Sequence, residues 1–138
     1  MSIMSAFGKL ASKVTEKFDN IANEEELDAC VAACVLLAAA DGNISEDEKE
    51  AAFNCVASHE SLQSFSREKI RAKFKSDANL INADRQLATQ VLEQKISTVK
   101  DITARIRIIG IARQIAMADD VLTKEEEAVI DRIRRITG

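Results

Sequence analysis

Two short acidic turns carry the side chains best suited to chemistry. Asp41, Ser45 and Glu48 stand at steps of four and three, and Asp119, Thr123 and Glu126 repeat those steps. Asp41-Gly42-Asn43-Ile44-Ser45-Glu46-Asp47-Glu48 matches the second half of an EF-hand loop. Asp41 falls on its fifth position, the turn glycine Gly42 on the sixth and Glu48 on the twelfth. The first half is missing: the first and third positions are Leu37 and Ala39, and in the second copy Ile115 and Met117, none with a side-chain oxygen. Ca²⁺ takes about six to eight oxygens, so one half-loop cannot hold it alone. Two half-loops facing each other supply a set: Asp41, Ser45, Glu48, Asp119, Thr123 and Glu126. The plainer reading is structural. Ser45 with Glu48, and Thr123 with Glu126, each spell a capping box, in which hydroxyl and carboxylate satisfy free N–H groups at a helix start.

Cysteine and histidine offer a second chemistry. Cys30 and Cys34 are four apart, as are Cys55 and His59. Four such ligands on two helices would suit zinc. Cys30 and Cys34, however, sit in a run of Ala, Val and Leu, where cysteine behaves as a small core residue. Cys55 with His59 is also the one Cys–His pair available for nucleophilic catalysis. No orienting third residue or oxyanion motif accompanies it, and His59 at a helix end reads as solvated. The chain is therefore read as a binding module rather than an enzyme.

The elements that position these residues are helices. The chain has 138 residues, 46% apolar and 30% charged, with no Pro and only four Gly. So few turn-formers exclude an all-β sandwich or barrel. Trp and Tyr are absent and the net charge is −4, which argues against nucleic acid as a partner. No stretch has the length or apolarity of a membrane span, and no secretory signal is visible, so three cysteines read as reduced thiols of a cytoplasmic protein.

Apolar residues at Ile3, Phe7, Leu10, Val14, Phe18 and Ile21 predict an amphipathic helix over residues 1–22, with Lys9, Lys13 and Lys17 in a basic line. That helix covers the core or touches the inner face of a membrane. A helix of small apolar residues from Glu24 to about Ala40 is predicted to be central. The capping box at Ser45 opens the next, with Ala51, Ala52, Cys55 and Val56 buried. A basic helix follows over Arg67–Lys75, which could bind phosphate or an acidic partner but more commonly is a solvated face. Leu87, Val91 and Leu92 mark another. Thr98 and Asp101 cap a long helix whose stripe is Ile102, Ile106, Ile109, Ala112 and Ala116. Thr123 opens the last, with Val129, Ile130, Ile133 and Ile136 apolar.

A repeat organises this pattern. Shifting the chain by 78 residues lays Ala38–Glu48 on Ala116–Glu126, Ala52 on Ile130 and Cys55 on Ile133. The expectation is one all-α domain over residues 1–138 with about seven helices. Its helical core spans 24–136, and its two pseudo-symmetric helix–turn–helix halves are repeats 30–58 and 108–136.

The paired motifs A-A-A-D-G-N-I-S-E-D-E-K, from Ala38, and A-M-A-D-D-V-L-T-K-E-E-E, from Ala116, resemble the TerB family of tellurite-resistance proteins. So do the small-residue helix before the first motif and the leading F-G-K-L segment. The resemblance covers nearly the whole chain. It implies an all-α fold of two similar halves and a cytoplasmic, non-enzymatic role in the response to tellurite and related stresses. It also implies that the six acidic-turn residues bind a divalent cation, Ca²⁺ before Mg²⁺ or Zn²⁺. The partners it implies are other protein components of a stress-response or membrane-associated complex, with peripheral contact at the inner membrane. The chain departs from the motif at Asp120, which stands where the first copy has Gly42. The competing expectation is a metal-free helical adaptor whose acidic turn residues are only caps.

Overall fold

The computed structural model describes residues 20–116 and 123–137. They form six α-helices and one 3₁₀ turn: α1 Glu24–Ala38, α2 Glu46–Ser58, the turn Glu60–Leu62, α3 Arg67–Ala83, α4 Arg85–Ser97, α5 Ile102–Ala116 and α6 Lys124–Thr137. No strand occurs among the described residues. The amphipathic helix expected over residues 1–22 falls almost wholly outside them.

α1 is the axis of the fold, as its composition predicts. Asn23 caps it, its side-chain oxygen accepting the Glu26 N–H at 2.9 Å. From Glu26 to Ala38 every residue except Asp28 is buried. Alanine and cysteine on most faces let neighbours approach closely from several sides, and α1 touches all five other helices. Leu27 of α1 is fully buried, and Phe53, Leu62, Ile70, Phe74, Ile81, Leu92, Ile96, Ile108 and Ile111 are fully buried around that helix. Each contributes roughly 1.5–3 kcal/mol by leaving water.

Side-chain pairs fix the helix directions. Lys69 meets Glu24 and Lys73 meets Asp28, so α3 runs in the same sense as α1. Arg85 donates to the Ala39 carbonyl at 2.9 Å, at the end of α1. Gln94, Lys95 and Thr98 lie beside Glu24, Glu25 and Asp28 at its start. α4 is therefore antiparallel to α1. Lys49 to Asn79, at 2.8 Å, and Arg67 to Asn54 make α2 antiparallel to α3.

The repeat survives as structure. Adding 78 to the bounds of α1 gives those of α5, and adding it to the start of α2 gives the start of α6. α3 is one 17-residue helix; the weak pattern after Ser76 does not end it, because Asp77, Ala78 and Ile81 continue its buried face. α5 differs in part from its expected orientation. Of the expected stripe, Ala112 is buried and Ile109 packs partly against the core, Ile102 and Ile106 are exposed, and the side chain of Ala116 lies outside the described residues; Ala104, Ile108 and Ile111 complete the inward face. The apolar residues of α5 fall on two sides, and the periodicity alone does not choose between them.

Candidate functional site: two capped acidic turns

The first turn leaves α1 at Ala39 and reverses at Gly42, whose φ of +141° suits glycine and strains any other residue. Ile44 then plugs the core at 2% exposure. Asn82 on α3 holds it there by accepting the Ile44 N–H at 3.0 Å and donating to its carbonyl at 2.8 Å. The backbone is thus clamped from outside its own helix pair.

Ser45 and Glu48 form the predicted capping box. The Ser45 hydroxyl accepts the Glu48 N–H at 3.2 Å, and Glu48 Oε1 accepts the Ser45 N–H at 2.9 Å. The second copy does the same: Thr123 Oγ1 accepts the Glu126 N–H at 3.1 Å, and Glu126 Oε1 accepts the Thr123 N–H at 3.0 Å. The two boxes differ in setting. Glu126 is buried, and Glu48 is half-exposed.

Asp41 is exposed and its carboxylate meets no described group. Asp119 lies outside the described residues. A cation at the first turn would find the Asp41 carboxylate, the Ser45 hydroxyl and the second oxygen of Glu48. These fall short of the six to eight oxygens Ca²⁺ takes. Among the described residues no three His, Cys, Asp or Glu side chains are grouped to hold a metal ion. The described donors of the first turn do not by themselves complete such a shell. The approach to the second turn also lies away from the first: Gln114 Oε1, near the end of α5, meets His59 Nε2 at 2.9 Å. His59 closes the far end of α2, about 20 Å from the Ser45 cap at 1.5 Å per residue.

That contact redefines His59, which is 5% exposed rather than solvated. Its Nδ1 accepts the Ser61 N–H at 3.1 Å, which places the ring proton on Nε2, donated to Gln114. Both nitrogens are committed, and neither can serve Cys55 as a base. Burial pushes the Cys55 thiol up to about 12. Cys30 is also raised well above its ordinary value, first by its hydrogen bond with Cys34 and then by burial. All three cysteines are buried core residues.

Four of the five cations of the basic helix pair with three carboxylates of the neighbouring helices. Lys69 and Lys73 pair with Glu24 and Asp28, and Arg71 and Lys75 with Glu50. Arg67 and Arg71 lie over the buried Phe53 ring, 4.7 and 4.2 Å from its centroid. The face stays largely solvated, as expected, and its cations also bridge α3 to α1 and α2 at the surface. Two features escaped the sequence reading, the Asn82 clamp and a buried pair of Arg107 with Glu26. An acidic residue in a first helical turn reads as dipole complement, and nothing in its spacing names a partner 81 residues away.

No described helix is long and apolar enough to cross a membrane. Compared with protein-family models, residues 27–138 match the one described as tellurite resistance protein TerB. No curated protein and no solved structure matches the chain.

Proposed function

The chain belongs to the TerB family of tellurite-resistance proteins, and from that premise we propose that it acts as a non-catalytic helical adaptor in the tellurite response. The observation that carries this reading is the commitment of its reactive side chains to structure. The carboxylates of Glu48 and Glu126 cap helices, both His59 nitrogens are bonded, and the Cys55 thiol is held far from ionisation. What faces outward at the first turn is a clamped acidic tip of Asp41, Asn43 and Asp47. A rigid tip of this charge suits a basic face on a protein partner of the same response. The pairing of four α3 cations with carboxylates of α1 and α2 speaks against nucleic acid.

The rival reading is a divalent-cation site, Ca²⁺ before Mg²⁺ or Zn²⁺, at Asp41, Ser45, Glu48, Asp119, Thr123 and Glu126. The exposed Asp41 carboxylate, which has no partner among the described residues, is the observation in its favour. Thermal unfolding of chelator-treated protein with each ion added separately decides between them. The adaptor reading expects no saturable stabilisation by any ion. In cells whose tellurite resistance depends on this chain, it expects Asp41→Asn with Asp47→Asn to reduce resistance at unchanged melting temperature. A cation bound only by the native state stabilises by about 2.7 kcal/mol at about 100 times its dissociation constant. Such a rise, lost in Asp41→Asn with Asp119→Asn, would replace the adaptor reading with the metal one.

A further inference from the structure

α3 carries its cations in two rows, and the rows are balanced differently. Lys69 and Lys73 face α1, where each meets a carboxylate of its own, Glu24 and Asp28. Arg67, Arg71 and Lys75 stand at steps of four, which puts them on one side of the helix, and their contacts are with α2. In this second row Glu50 is the one shared carboxylate. Arg71 holds it in a fork, Nη1 to Oε2 and Nη2 to Oε1 both at 3.0 Å, and Lys75 reaches it only at 3.9 Å. Glu46, one turn back on α2, is bonded to Lys49. Arg67 meets no carboxylate among the described residues; its partners are the neutral side chain of Asn54 and the ring of Phe53. The Arg71 hydrogen bond, and then the charges of Lys75 and Arg67, hold the Glu50 carboxyl below its ordinary value, so all three cations act on that one group.

Helix stability does not account for where Arg67 stands. It is the first residue of α3, directly after the Ser66 cap. A helix start carries about half a positive charge, and a cation placed there is disfavoured. Glu68 is the one acidic residue of that turn. Set against Glu50 and Glu68, the three cations still leave a positive excess at the end of α3 where the backbone is itself positive. Stacking offsets part of the cost and fixes the geometry. Arg67 and Arg71 lie 4.7 and 4.2 Å from the centroid of one ring, and Phe53 is fully buried. Two planar forks on a rigid shelf are preorganised for an oxyanion.

The arrangement limits which anion fits. A guanidinium has more donors than one carboxylate can take, so Arg71 keeps some beyond the Glu50 fork, and Arg67 is bonded only to Asn54. A second carboxylate would only repeat Glu50. A phosphoryl group brings about two negative charges and several acceptor oxygens, enough for both arginines at once. A nucleic-acid backbone requires phosphate contacts in a long line. The Lys69 and Lys73 row, already paired one to one, does not extend the cluster into such a line.

We propose that Arg67 and Arg71, with Lys75 beside them, form a binding site for a phosphoryl dianion at the seam of α2 and α3. The anion is free phosphate or a phosphorylated side chain of a protein partner. The site uses none of the residues of the acidic tip and does not rest on the adaptor reading.

Nitrogen-15 NMR of the full chain at constant ionic strength tests this. Inorganic phosphate, replacing chloride in the millimolar range, should shift the amides of residues 50–54 and 66–75 saturably. A short peptide with phosphoserine among alanines should shift the same amides, and its unphosphorylated form should not. A phosphopeptide bound more tightly than phosphate assigns the site to a partner's side chain; equal affinity assigns it to the free anion. Arg67→Gln, at an exposed position that leaves no carboxylate orphaned, should keep the melting temperature and weaken both ligands by about fivefold or more. Glu50→Gln removes the competing carboxylate and should tighten both by about twofold or more. No saturable shift with either ligand would overturn the proposal. So would shifts centred elsewhere on the chain, equal binding of the unphosphorylated peptide, or affinities that Arg67→Gln leaves unchanged.

Discussion

Arg107 grips Glu26 through two parallel hydrogen bonds, Nε to Oε2 at 2.6 Å and Nη2 to Oε1 at 2.8 Å, with both residues buried. The pair ties the first turn of the central helix to α5 and so joins the two halves of the domain. The fork geometry satisfies both oxygens of the carboxylate, which is what lets an ion pair persist out of water. Removing one partner leaves the other charge buried. Glu26→Gln or Arg107→Met alone should therefore destabilise by about 3–5 kcal/mol. Glu26→Leu with Arg107→Met should recover most of that loss. Urea unfolding of the three variants checks it; a double variant no better than the worse single one would refute the account.

The two capping boxes make a matched pair of predictions. Ser45→Ala and Thr123→Ala should each cost about 1 kcal/mol. The boxes sit on different helices with no shared partner, so their costs should add to within about 0.5 kcal/mol. Circular-dichroism melts in chelator should show both losses undiminished. Losses that appear only when a divalent ion is present would mean that the hydroxyls serve a ligand instead of a backbone.

Thiol labelling reports on the cysteines. A Cys55 thiol pushed up to about 12 carries very little thiolate at pH 8. Its native-state alkylation should be slower than that of an unperturbed thiol by about three orders of magnitude. Iodoacetamide with peptide mapping should find Cys30, Cys34 and Cys55 modified together, and only as the protein unfolds. Rapid labelling of Cys55 alone would restore it as a reactive site.

Much of this was legible in the sequence because it depends on local signals. The helices at Ser45 and Thr123 announce themselves by residues three apart, and the pairing of halves by a constant offset. The central place of α1 follows from its lack of a polar face. What stayed hidden depends on distance along the chain. Asn82 clamps Ile44 across 38 residues, and the cations of α3 are spent on carboxylates up to 45 residues away. A run of Lys and Arg looks the same whether it is paired or free. On α5 the expected stripe holds at Ala112 and Ile109 and fails at Ile102 and Ile106 for a similar reason: isoleucines stand on both sides, and packing, not spacing, selects Ile108 and Ile111.

Asp77 should give the protein a titration of unusual sign. It is 3% exposed on α3, with Oδ1 bonded to Lys95 at 2.8 Å and Oδ2 buried without a hydrogen-bond partner among the described residues. Burial raises its pKa above 3.8, against the stabilising Lys95 contact; the Asp28 charge adds to the rise and Lys73 opposes it. A carboxyl whose folded pKa exceeds its unfolded one binds more protons in the native state. Stability attributable to it therefore falls as pH rises from the unfolded value through the folded one, and is level above. The exposed Glu24 and Glu46 and the half-buried Glu50 are lowered by their Lys69, Lys49 and Arg71 hydrogen bonds and act in the opposite sense, so the wild-type curve alone hides the effect. The difference between wild type and Asp77→Asn isolates it. Asn keeps an oxygen for Lys95 and cannot ionise, so its stability relative to wild type should improve from about pH 4 upward and then plateau. Urea midpoints taken in steps of pH should trace that rise, and a difference that declines with pH would show that Lys95 over-compensates the burial.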